Sequence, residues 1–318
     1  MKSFIVDTDI GADADDVVAL AYLLGKCREG TCTLRAITLS TARAAAPACV
    51  RAVLRGFAAT GIPVGAYSGA PLACDRFDLY AREIAERYGE PVTGAEEAVP
   101  LLRRTLATAE GRTDLIAIGP LSNLSALLQS GADAASPLDG AALVREKAGT
   151  LYVMGGLFRE ENPPRREWNV LQDIPAAQVV ADRFPRPVIY CPSETGGAVT
   201  TYAAGLCGVV YDALRCFSDR SAENDGTPRL PEGSYTRPSW DPLTAMVAME
   251  EQVNFVFSPP GRVTIAPDGT STFAPMPGGM HRVLRCESDL AAAEGLLRTN
   301  LLRFCGTKNT VPPGGNGI

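Results

Sequence analysis

Five aspartates fall within ten residues near the start of this chain, in Asp7-Thr8-Asp9-Ile10-Gly11-Ala12-Asp13-Ala14-Asp15-Asp16, directly behind the strand-like run Ser3-Phe4-Ile5-Val6. Residues i and i+2 of a strand share a face. Asp7 and Asp9 are therefore expected to project together, with Gly11 turning the chain and Asp13, Asp15 and Asp16 leading into the apolar run Val17 to Leu24. Like charges this close raise one another's pKa unless a cation or hydrogen-bond donors hold them ionised. Aspartate is also a favoured helix N-cap, which accounts for one or two of these residues but not for the cluster. A strand end, a turn and a helix start must therefore converge on something positive.

The remaining composition narrows the class. A chain of 318 residues with 46% hydrophobic residues can bury a large core, and no linker or internal repeat divides it, so one α/β domain over residues 1–318 is expected. The net charge of −6 and the absence of a Lys/Arg-rich run argue against a nucleic acid polymer as partner. No stretch is long and apolar enough to suggest a membrane span, and the chain enters a strand straight after Met1-Lys2, leaving no room for a signal peptide. Cytoplasm is the expected location. The nine cysteines are an odd number and never form a C-x-x-C pair, so they read as reduced thiols. The single histidine, His281, excludes a zinc site built on paired histidines and reads as structural.

Short apolar runs alternate with helical stretches. Strands are predicted at 3–7, 34–39, 64–66, 114–118, 150–154, 187–190, 262–265 and 281–285, and helices at 15–24, 46–59, 95–109, 121–129, 175–183 and 289–304. This order predicts an open, mostly parallel sheet with helices on both faces, with ligands beyond the carboxyl ends of the strands. Residues 218–239, rich in Pro, Gly and charge, read as a mobile excursion, and the last residues (305–318) as a loose tail.

Other strand ends carry polar chemistry. Ile118-Gly119-Pro120-Leu121-Ser122-Asn123 sets a turn where backbone carbonyls can accept a cation. Met154-Gly155-Gly156 precedes a loop holding Asn162, Glu167, Trp168 and Asn169, whose amides and carboxylate suit sugar hydroxyls. Ser239-Trp240-Asp241-Pro242 opens an apolar helix, and Asp241 is either its N-terminal cap ahead of a first-turn proline or a distant metal ligand.

Taken in order, Asp-x-Asp-x-Gly, Gly-Pro-Leu-Ser-Asn, Met-Gly-Gly followed by Glu-x-Asn, and a late Trp-Asp-Pro resemble the inosine-uridine nucleoside hydrolase family over nearly the whole chain. The resemblance implies a calcium-dependent N-ribosyl hydrolase of nucleoside hydrolase fold, acting on a small-molecule nucleoside and assembling as a homodimer or homotetramer. It implies Asp9 as the carboxylate that binds metal and activates water, with Asp16, the Ile118 carbonyl and Asp241 as further ligands. An all-oxygen set suits calcium. It further implies Asp15, Asn162, Glu167 and Asn169 on the sugar, Met154 beside it, and Asp7 supporting the metal ligands from behind.

The chain departs from that family at three places. The first turn is two residues longer through Ala12-Asp13-Ala14, so Asp13 can take a role otherwise given to Asp15 or Asp16. Ser40-Thr41-Ala42-Arg43 replaces a Val-Gly-Asn segment, altering one ribose contact. Trp240 stands where a proton-donating histidine often precedes the late Asp; it can stack on a base and offer an indole N–H. Tyr235, Arg237, Glu194 or solvent is then left to assist the departing base, and a substrate whose base already leaves well, such as nicotinamide riboside, fits. Two further readings remain open. One is an aspartate-based phosphatase, suggested by Asp7-Thr8-Asp9 but lacking a later Gly-Asp-x-x-x-Asp. The other is a catalytically weak or inactive calcium-dependent nucleoside- or ribose-binding homologue, suggested by Trp240 and Arg43.

Overall fold

Alternation along the first strand builds two cores. In β1 (Lys2–Thr8), Phe4 and Val6 join one apolar cluster and Ile5 joins another, as expected when successive side chains face opposite sides of a sheet. The computed structural model describes residues 1–159 and 165–306. In chain order the further strands are β2 (Cys32–Leu39), β3 (Val64–Ala66), β4 (Glu96–Glu97), β5 (Thr113–Ile118), β6 (Ala148–Met154), β7 (Val188–Cys191), β8 (Thr200–Tyr202), β9 (Thr236–Pro238), β10 (Gly261–Ile265), β11 (Ser271–Pro275) and β12 (His281–Val283). Ten of them form one sheet in the order β11-β10-β12-β7-β6-β5-β1-β2-β3-β4, while β8 and β9 pair as a separate antiparallel ribbon. From β12 to β4 every neighbouring pair is parallel; β10 alone runs against the rest, antiparallel to both β12 and β11. The open, mostly parallel sheet expected from the sequence is thus present, with an antiparallel edge.

Helices cover both faces. They are α1 (Asp15–Arg28), α2 (Ala46–Gly56), α3 (Ala81–Arg87), α4 (Ala98–Ala107), α5 (Ser122–Gln129), α6 (Gly140–Lys147), α7 (Trp168–Gln172), α8 (Ile174–Arg183), α9 (Ser193–Gly196), α10 (Gly208–Asp225), α11 (Trp240–Met249) and α12 (Leu290–Cys305). Side chains of α1, α2, α3, α10, α11 and α12 fill one core cluster, and those of α4, α5, α6 and α8 fill the other. Helix α1 is buried all round from Asp15 to Lys26, because α2, α10, α11 and α12 surround it on the sheet. No helix among the described residues is long and apolar enough to cross a membrane.

Every predicted strand and helix is present, with shifted ends. The reading of residues 218–239 as a mobile excursion is corrected at both ends: α10, a helix that was not predicted, runs to Asp225 and ends at Gly226 in the left-handed conformation, φ 65°. Its apolar positions Val209, Val210, Ala213 and Leu214 are buried, and the charges that masked the helical period pair along it, as Arg215 does with Asp219. Residues 236–238 are strand β9. At the chain's end, Cys305 closes α12 and Gly306 bridges to Leu206; the rest of the expected tail, 307–318, lies outside the described residues. All nine cysteines are free thiols. His281 is a structural residue: its Nδ1 accepts the Val263 N–H at 2.9 Å, its ring meets Tyr190 edgewise at 5.8 Å, and burial with Arg262 pushes its pKa down to about 4.

Because Leu20 sits fully buried on α1, Leu20→Ala is expected to cost about 2–5 kcal/mol of stability, read as a lower urea midpoint at unchanged slope.

Candidate active site

The carboxyl ends of three neighbouring strands are level: Thr8 of β1 pairs with Leu39 of β2 and with Ile118 of β5. Above that edge opens a cavity of about 420 Å³ whose walls include Asp9, Asp13, Asp15, Asp16, Ile118, Met154, Glu167, Asn169, Trp240 and Asp241. Asp9 follows β1, Asp15 and Asp16 open α1, Ile118 ends β5, Met154 ends β6, and Asp241 lies in the first turn of α11. Strand ends and helix N-termini therefore supply the site, as parallel sheets dictate. Where β5 passes Asp9, only glycine fits: a Cβ on Gly119 would lie 2.8 Å from the Asp9 nitrogen and 2.4 Å from Ser40 Oγ.

Asp15, Asp16 and Asp241 each offer a carboxylate oxygen within 4.8 Å of the others, and all three are buried. Burial first, then the neighbouring carboxylates, holds all three well above the usual carboxylate range. Asp9 stands outside this tight triad but lines the same cavity and adds its charge to Asp16 and Asp241. Burial pushes Asp9 up to about 6, against the pull of Arg43. Few donors relieve the cluster. Thr8 Oγ1 donates to Asp16 and the Asp241 N–H to Asp15 at 3.1 Å, and both α1 aspartates lie at the positive end of that helix. Buried oxygens with so little compensation fit a hard divalent cation. The ends of β1 and β5 and the starts of α1 and α11 would hold it.

Asp7 does not project with Asp9. Its side chain turns to the other core, where Oδ1 accepts Thr38 Oγ1 at 2.5 Å and Asn123 Nδ2 at 2.8 Å. Its Oδ2 has no hydrogen-bond partner among the described residues, and burial raises its pKa to about 7. The physical reason is that β1 ends at Thr8, so strand alternation no longer governs Asp9.

On the β6 side, Glu167 caps α7: it accepts the N–H groups of Asn169 at 2.8 Å, Val170 at 2.9 Å and Gly156 at 3.3 Å. Burial still lifts it to about 7. Asn169 Nδ2 reaches the Met154 carbonyl and sulfur, both at 3.3 Å, which joins the two expected sugar contacts into one unit. Asn162 lies outside the described residues.

Of the groups considered for the departing base, Arg237 alone lines the cavity. Tyr235 is buried against Tyr211, 5.8 Å between ring centres. Glu194 Oε1 accepts the backbone N–H groups of Phe158 and Arg159 at 2.9 and 3.1 Å. Trp240 forms cavity wall, but its indole N–H is spent on the Ser193 carbonyl at 3.0 Å. Sequence reasoning missed Phe77, Leu79 and Phe217, which add to the wall; Phe217 lies on α10, a helix that was not predicted. It also missed what Arg43 does. Buried beneath the first turn, its guanidinium donates to the carbonyls of Asp9, Cys74 at 2.6 Å and Phe77 at 2.5 Å. An arginine set in the alanine-rich run Ala42 to Ala46 was the available signal.

The sequence model of the family described as "Inosine-uridine preferring nucleoside hydrolase" matches residues 4–291. Among solved structures, the chain is similar to an inosine-uridine preferring nucleoside hydrolase from Bacillus anthracis, with 20% identity, 96% of this chain and 99% of that one covered, and a TM-score of 0.65. It is also similar to a purine-preferring ribonucleoside hydrolase from Gardnerella vaginalis (17% identity, 95% and 99% covered, TM-score 0.68). A plant nucleoside hydrolase compares at 18% identity, 95% and 99% coverage and a TM-score of 0.68. No curated protein matches the chain.

The raised carboxyls give the metal-stripped protein a definite pH response. Folded Asp7, Asp9, Asp15, Asp16, Asp241 and Glu167 keep protons that the unfolded chain releases above its own pKa of about 4. Stability in chelator is therefore expected to fall as pH rises from 5 to about 7; His281, whose pKa is lowered, works the other way below its unfolded value. Thermal unfolding at both pH values checks this, and added calcium is expected to restore the midpoint at pH 7. Gly119→Ala, which crowds Asp9, is expected to weaken that calcium response.

Proposed function

The chain belongs to the inosine-uridine preferring nucleoside hydrolase family, a family of N-glycosyl hydrolases, and from that premise we propose that it hydrolyses the N-glycosidic bond of ribonucleosides in a calcium-dependent reaction. The observation that carries the proposal is the gathering of Asp9, Asp15 and Asp16 from the first turn with the distant Asp241 into one cavity at the strand ends. Their donor set suits calcium. A bound divalent cation supplies Lewis-acid chemistry that lowers the pKa of a water and orients it. Asp15, Asp16, Asp241 and the Ile118 carbonyl, with Asp9, would hold the ion; Asp15 would then serve the metal as well as the sugar.

The protein's own groups divide the remaining work. Asp9 accepts the proton of the attacking water. Glu167 and Asn169 face the sugar hydroxyls, and Met154 packs beside the ring. Trp240, Phe217 and Phe77 give the base an apolar, aromatic wall. Ser40 to Arg43 supplies no cavity-lining residue; this segment instead ties the Asp9 turn to residues 74–77 through Arg43.

One observation favours the second reading, a weak or inactive binding homologue: the indole at Trp240 has no proton to give, and its N–H is already bonded. Sugar release separates the two. Reducing-sugar assays on a panel of ribonucleosides, with calcium and with chelator, are expected to show calcium-dependent release that falls by about 10²–10⁴-fold in Asp9→Ala. Release indifferent to chelator would overturn the metal dependence. A calcium-induced rise in thermal stability with no sugar released would select the binding reading.

A further inference from the structure

The longer first turn has a partner. The Asp13 carboxylate accepts both Nε, at 2.7 Å, and Nη2 of Arg237, a forked pair that fixes the guanidinium plane. Arg237 comes from β9 of the small ribbon and lies 4.5 Å from the centre of the Phe217 ring and 5.2 Å from that of Trp240. Asp13, Phe217, Arg237 and Trp240 all line the cavity. With Nε and Nη2 committed to Asp13, the two N–H groups of Nη1 have no hydrogen-bond partner among the described residues. Burial lowers the pKa of Arg237, but its bond to Asp13 and the charges of Asp13, Asp15 and Asp241 more than offset this and raise it. The group is therefore a fixed cation and never a proton donor.

We propose that Arg237 is the specificity-determining residue for the departing base, donating from Nη1 to an exocyclic oxo group and holding the negative charge that develops there as the bond to the sugar breaks. The proposal rests on the hydrolase reading above. The C1′–N bond breaks with its electron pair passing to the base nitrogen. Water adds its oxygen to C1′, its proton goes to Asp9 and then to solvent, and the base leaves as an anion that solvent protonates after release. A charged donor placed where charge accumulates stabilises such a step without moving a proton. Oxo bases present an acceptor to these N–H groups, whereas the amino group of adenine or cytosine presents a donor. A cationic base such as nicotinamide, which gathers no negative charge on leaving, gains nothing from it. Asp13 is the positioning residue: it holds the guanidinium edge toward the cavity and tethers the ribbon to the first turn.

In the wild-type protein with calcium, kcat/KM across uridines substituted at C5 is expected to rise steeply with the acidity of the departing base. A flat series would reveal proton donation and overturn the proposal. Arg237→Gln and Arg237→Lys, each checked for folding by thermal unfolding, are expected to lower the inosine-to-adenosine ratio of kcat/KM by about tenfold or more, since lysine keeps the charge but not the fork. Asp13→Asn is expected to lower kcat more than it raises KM, since the guanidinium it positions acts on charge that develops as the bond breaks, with Asp13→Glu recovering part of the loss. Equal losses on both nucleosides in the arginine variants, or a loss confined to 5′-phosphorylated nucleosides, would overturn the assignment. If the wild type released sugar from no nucleoside, the hydrolase reading would fail by itself. Calorimetric binding of free hypoxanthine against free adenine would still decide the role of Arg237: a preference lost in Arg237→Gln supports it, and no preference overturns it.

Discussion

Buried carboxylates packed at the carboxyl edge of a parallel sheet are the constraint to which the rest of this structure answers. Taking an ionised group out of water is costly unless it is paired, and here Asp9, Asp15, Asp16 and Asp241 share one cavity with few donors among them. The fold meets part of that cost locally. The N-terminus of α1 lies under Asp15 and Asp16, Thr8 reaches Asp16, and Arg43 brings a buried positive charge to the carbonyl of Asp9. What remains matches the demand of one hard cation.

Around that centre the cavity is divided by chemistry. The β6 side presents Glu167 and Asn169, already ordered by backbone N–H groups and by the Met154 carbonyl, so a ligand meeting them would find both side chains already held. The side formed by α10, β9 and α11 presents Phe217, Arg237 and Trp240, an aromatic surface with one guanidinium set into it. Arg237 is held there by the aspartate that the longer first turn supplies.

Much of this was legible in the sequence because it depends on short-range rules. Strand alternation in Ser3 to Asp7, the N-terminal preference of aspartate at Asp15 and Asp16, and the Gly-Pro turn after Ile118 are local facts that survive folding unchanged. Asp7 shows where such rules stop. Alternation predicts that it shares a face with Asp9, yet the strand ends at Thr8 and the two carboxylates part, one to Asn123 and one to the cavity. Residues 218–225 mislead for a related reason. Their charges look like loop composition until Arg215 and Asp219, both half-buried, are seen to pair one helical turn apart.

The amino-acid order by itself determined the class of fold, the family resemblance and the set of carboxylates that must converge, since periodicity and motif spacing are properties of the chain read locally. Only the tertiary structure decided which of those groups face one another. Asp241 lies 226 residues from the Asp15 carboxylate that its N–H meets, and Arg237 lies 224 residues from Asp13. No sequence period encodes a contact across such a separation. It is settled by how α1 and α11 pack together beside the sheet and by which strand ends come level.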